Sequence, residues 1–166
     1  MHSHRRALAA LAAGAAFVAA TPAHATPPTT VSEVRHVRLT LASCGSFSLI
    51  SDVTVDRKLT TFYDPDGRPT RVALDRRLEG TFINSVSGAS VPVTGNWRNV
   101  TYYTDGVPNG VITQTGRTYT VTVPGRGAIF LQAGHGIQVD GQTAFEVGPH
   151  DFEDRNFGEV CAYLAG

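Results

Sequence analysis

The chain has 166 residues, 14 of them basic and 14 acidic, so its formal net charge is zero. That balance lacks the basic patch that nucleic acid or an anionic membrane surface demands. The length allows one domain large enough to bury a core.

Residues 1–25 read as a secretory signal peptide. His4, Arg5 and Arg6 form a positive head, Ala7 to Ala20 carries no charge, and Thr21-Pro22 leads into the small-residue motif Ala23-His24-Ala25. The apolar stretch is 14 residues long, short of the roughly 20 that span a bilayer as a helix. Cleavage after Ala25 is expected. Arg5 and Arg6 leave with the signal, so the mature 141 residues hold 12 basic against 14 acidic side chains, a net −2. Arg5-Arg6 raises the twin-arginine route, although its neighbours fit ordinary export better. Leu41-Ala42-Ser43-Cys44 has the form of a lipidation site, but Glu33, Arg35, His36 and Arg38 stand where the apolar run belongs. A secreted, extracellular domain with no lipid anchor and no membrane span is therefore expected.

Thr26 to Ser32 is rich in Pro and Thr and reads as a flexible leader. From Glu33 to Gly166 the pattern is that of an all-β domain. Val37, Leu39 and Leu41 alternate with polar residues, as do Phe47, Leu49, Val53 and Val55, and again Tyr119, Val121 and Val123. Turn residues interrupt the alternation at Asp64-Pro65-Asp66-Gly67, Asp105-Gly106, Pro108-Asn109-Gly110, Pro124-Gly125-Arg126-Gly127 and Asp140-Gly141. No stretch beyond the signal peptide keeps a 3.6-residue period, so no substantial helix is expected there. About eight to ten antiparallel strands joined by tight turns predict an up-and-down β-barrel, with a β-sandwich as the alternative.

The only two cysteines, Cys44 and Cys161, lie near opposite ends of the mature domain. Outside the cytosol such a pair is oxidised, and their spacing is unlike a redox or metal Cys-x-x-Cys motif. Joining the first strand to the last in this way also favours closure of a barrel.

Polar residues on otherwise apolar faces are the candidate ligand-binding residues. Arg76 continues Val72-Leu74 toward Leu78, and His135 continues Ile129-Leu131-Ala133 toward Ile137. Inside a barrel the two would form a polar site, because buried charge persists only when paired. A β-bulge at Arg76-Arg77, or a bulge or turn at Gly134-His135-Gly136, would instead turn them outward. Trp97, Tyr102 and Tyr103 form an aromatic cluster suited either to a ligand or to cross-strand packing. His150, Asp151, Glu153 and Asp154 are the densest polar group, without a second His at metal-ligand spacing, and read as a solvated loop before the last strand. Asp64 and Asp66 resemble half a calcium loop but lack its closing Glu.

No Gly-x-Ser-x-Gly elbow, His-Glu-x-x-His motif or phosphate-cradling glycine loop is present. No catalytic residue, metal ligand or cofactor is therefore assigned. Gly95-Asn96-Trp97 matches the Gly-x-Trp fragment that lipocalins carry on their first strand, but here it falls mid-domain, and no lipocalin site is carried over. The pattern of Cys44-Gly45-Ser46-Phe47, Val123-Pro124-Gly125-Arg126-Gly127, Gly148-Pro149-His150-Asp151 and Cys161-Ala162-Tyr163-Leu164 resembles small exported bacterial all-β domains of unknown function. Its motifs are turn and cysteine residues, so the resemblance implies the fold and the staple and no activity. The function expected first is a non-enzymatic domain binding a small, partly apolar ligand. An extracellular protein-interaction or inhibitor module is the alternative. An enzyme using carboxylates or His135 comes third.

Overall fold

The computed structural model describes residues 26–152 and 154–166; the expected signal peptide with its expected cleavage site at Ala25, and Glu153, lie outside them. Seven strands follow one another, β1 (Thr29–Ser43), β2 (Ser48–Tyr63), β3 (Pro69–Asn84), β4 (Ser90–Thr104), β5 (Val107–Val123), β6 (Gly127–Val139) and β7 (Gln142–Val147). A short helix, α1 (Gly158–Ala165), ends the chain. The strands pair antiparallel in sequence order within one sheet. The segment read as a leader joins it, since Thr29 to Ser32 pair with Thr61 to Lys58. No helix among the described residues is long and apolar enough to cross a membrane.

The all-β class holds, but the closed barrel does not form, because β1 and β7 remain the two edges of an open sheet. A single sheet likewise replaces the sandwich. Seven strands stand in place of eight to ten because β1 to β6 are each 13 to 17 residues long. Pro108-Asn109-Gly110, expected as a turn, lies inside β5; Pro108 is tolerated because it sits one residue from the strand's start. The turns at Asp64–Gly67, Asp105-Gly106, Pro124–Gly127 and Asp140-Gly141 fall where the residue types require.

The C-terminal segment does what barrel closure was expected to do. The Ala133 amide donates to the Pro149 carbonyl at 3.1 Å, and the Leu131 amide to Asp151 Oδ2 at 2.7 Å. The Phe152 amide donates to Gln132 Oε1 at 3.2 Å. His150 and Asp151 are thus docked on the sheet rather than solvated: Asp151 hooks the segment onto β6. Residues expected to form the final strand form α1, which buries Val160 and Leu164 and lacks a side-chain N-cap. Two turns of helix are unstable alone, so this one depends on packing. Asn84 Nδ2 donates to the Leu164 carbonyl at 3.0 Å. Cys161 is joined to Cys44, immediately after β1, with Cα atoms 5.5 Å apart. The staple is confirmed, although it ties β1 to a helix rather than to another strand.

Cross-strand register explains the core. Val37, Val53, Gly80, Val93, Val121 and Phe130 follow one another as partners across six strands. With Leu49, Phe82, Val91 and the buried face of α1 they form one cluster at one end of the sheet. Glycines let the sheet fold toward this face. A Cβ on Gly80 would collide with the Asp52 carbonyl and Val53 Cα, and one on Gly134 with the Val147 carbonyl. The strands therefore approach more closely than side chains permit. Gly80→Ala is expected to cost about 1–3 kcal/mol in urea unfolding. Gly158→Ala, which meets open space at the start of α1, should be neutral or slightly stabilising.

The opposite, outer face carries ion pairs in register. Arg98 holds Asp75 through two bonds, 2.6 and 2.9 Å, and Asp52 meets both His36 and Arg38. The hydrogen bond from His36 lowers the Asp52 carboxyl below its ordinary value, and that from Arg98 lowers Asp75. Depressed carboxylates stabilise the fold above the unfolded value of about 4 and lose that contribution as pH falls through the folded value. The melting temperature should therefore be insensitive to these groups above about pH 4 and decline below it. Asp75→Asn should shrink the decline by under about 1 kcal/mol, because the pair is exposed.

Candidate functional site

Past the Val37–Phe130 row the same sheet face changes character row by row. The next row is Arg35, Val55, Leu78 and Gly95, and the one after it Glu33, Arg57, Arg76, Trp97, Gly116 and Gly134. Helix α1 covers the core end of this face but not these rows. They border an open trough of about 300 Å³ whose walls are Val37 and Leu39 of β1, Val53 and Val55 of β2, Leu78 of β3, and Trp97 of β4. Tyr119 and Phe152, stacked with centroids 4.6 Å apart, complete it. Leu39 remains 45% exposed, an apolar side chain facing solvent across the trough.

Arginines line one end of the trough. Arg35 Nε donates to Glu33 Oε1 at 2.6 Å, and Arg57 Nη1 lies 3.6 Å from Glu33 Oε2. One carboxylate thus serves two guanidinium groups. Half-buried Arg76, partner of both Arg57 and Trp97, forms no ion pair with a carboxylate among the described residues. Its guanidinium carbon lies 5.5 Å from the centroid of the Trp97 ring, and Nη1 donates to Asn99 Oδ1 at 3.1 Å. Burial, and secondarily the charge of Arg57, lower its pKa from the ordinary value. Arginine remains charged at neutral pH despite such a shift.

Arg76 and Trp97 are therefore brought together, with no bulge at Arg76-Arg77. His135 and Tyr102 are not part of this group. His135 pairs with Thr115, whose hydroxyl is 2.9 Å from Nδ1, in the outer-face row that also holds Arg98 and Asp75. The reason is an irregularity at Ile129, which puts Phe130 and Gln132 on the core face and turns Leu131 and His135 away. Gly134-His135-Gly136 is continuous strand, not a turn. Tyr102 lies opposite Arg71 on the outer face, and Tyr103 one residue further along β4.

A second, polar cleft of about 50 Å³ lies beside the glycines of β6, lined among others by Asn99, Gln114, Gln132, Glu146 and His150. His150 Nδ1 is 3.3 Å from Glu146 Oε1. The volume admits a water or two rather than a substrate. Among the described residues no three His, Cys, Asp or Glu side chains cluster as metal donors.

Sequence reasoning missed Arg35, Arg57, Tyr119 and Phe152 as trough residues. The first two were signalled by the alternation that identified Val37 and Val55, since each continues that face by one step. No family model, curated protein or solved structure matches the chain.

Proposed function

We propose that the chain is a secreted, non-enzymatic binding domain that holds a small, partly apolar ligand in the trough of the core face. The observation carrying this reading is Arg76, a half-buried cation without a carboxylate partner among the described residues, standing over Trp97 at the end of an apolar recess. A solvated recess of about 300 Å³ is at the lower end of the range for small-molecule sites. Leaving Leu39, Val55 and Trp97 in water costs hydrophobic free energy that an apolar ligand would recover.

Trp97 is the chain's only tryptophan, so its fluorescence reports directly on the trough. Titration with a medium-chain amphiphile, decanoate or decanol, is expected to shift Trp97 emission and raise the melting temperature with concentration. If neither probe changes either signal, the reading fails.

A protein-interaction module is the second reading, favoured by the free edge of β1. That strand is 15 residues long and exposed over most of its length, including Val31 and Val34. Such an edge can accept another strand through its backbone.

A further inference from the structure

We infer that the trough selects a single-chain amphiphile with a negatively charged head, which rests on the trough being a ligand site at all. Two guanidinium groups of this row, Arg57 and Arg76, together with Arg35 of the row beside it, stand against the one carboxylate of Glu33 among the described residues. Glu33 already demonstrates what this row binds, since its two oxygens engage Arg35 and Arg57. Arg76 is the next residue along, directly opposite Arg57, and is the one without a carboxylate oxygen among the described residues. An anionic head placed between Arg57 and Arg76 would receive charge-assisted hydrogen bonds there. Its chain would run from the arginine row toward the core rows, over Val55 and Leu78 and along Trp97. The polarity of the two ends fixes the direction of the ligand. The volume suits one chain rather than the two of a phospholipid, which favours a free amphiphile over a bilayer surface.

Decanoate and decanol have the same chain and differ in charge. Measured by Trp97 fluorescence at low salt on the mature oxidised protein, decanoate should bind at least about tenfold more tightly. Arg76→Gln should abolish that preference, bringing decanoate affinity to that of decanol measured in the same variant. Glu33→Gln, which removes the competing carboxylate, should strengthen decanoate binding and leave decanol unaffected. Raising the ionic strength should weaken decanoate selectively. Equal affinities for the two probes would overturn the anion assignment and leave the apolar ligand site standing. Binding of neither probe would overturn both. Cosedimentation with anionic phospholipid vesicles without binding of free decanoate would also overturn it, in favour of a membrane surface. Arg76→Gln sits outside the core, and an unchanged urea midpoint verifies that the comparison is made between folded proteins.

Discussion

Reducing the Cys44–Cys161 bond is expected to cost about 4–5 kcal/mol of stability, lowering the melting temperature by on the order of 15 °C. The two cysteines are separated by 117 residues, so the bond closes nearly the whole domain into a ring. Chain entropy makes the effect large for so long a loop, because the unfolded ensemble is what the bond restrains. The local geometry adds a second reason. Helix α1 has no side-chain N-cap and only two turns, and without the bond its attachment to the end of β1 is gone. A Cys44→Ser/Cys161→Ser variant compared with the oxidised protein by urea unfolding gives the number. A difference under about 1 kcal/mol would mean that packing of Val160 and Leu164 holds the helix unaided. Titratable thiols in the oxidised, denatured protein would refute the bond itself.

Phe130→Ala should be of similar size, about 3–5 kcal/mol, for a different reason. Phe130 is 1% exposed and stacks on Phe157 with ring centroids 5.0 Å apart, while Phe82 meets it edge-on at 6.0 Å. It is where the sheet and the C-terminal segment touch, so truncation leaves a cavity beneath the helix rather than between strands. A double-mutant cycle with Phe157→Ala should find a coupling of about 0.5–1.5 kcal/mol from the stacked pair. Additive losses would show that the two rings are buried independently. The variant should also expose α1 to faster amide exchange than β3 and β4, which retain their own neighbours.

Much of this organisation is legible in the residues. Strict alternation identifies the strands, and the Asp-Gly and Pro-Gly turns separate them, because those signals are local. The cysteine pairing is legible because only one pairing exists. Arg76 stands out because a charge interrupts an apolar series. What it shares a row with is not legible, since register is set jointly by turns and by bulges several strands away. His135 illustrates the loss: an irregularity at Ile129 moves it to the outer face, and no residue type announces that shift. The C-terminal residues after β7 are the least legible part. Their helix is too short to display a period, and Asp151 acts through backbone groups of β6 that any sequence would possess. Arg35 and Arg57 follow the same alternation as their apolar neighbours, but a guanidinium at a strand's exposed end looks ordinary until its partners are known.

The strictly sequential strand order has a consequence for how the protein is made. Each strand's partner is the next to emerge, so hairpins can form one after another while the chain is still being delivered, with little loop-closure entropy at each step. Cys44 is an exception to this local logic. Its thiol appears just after the first strand and waits while six hairpins assemble before Cys161 arrives. The bond can therefore close only after every strand of the sheet has appeared, and a chain cut short between β7 and α1 would present the whole sheet, a bare apolar end and one unpaired thiol. Those are the marks that would distinguish it from the finished protein.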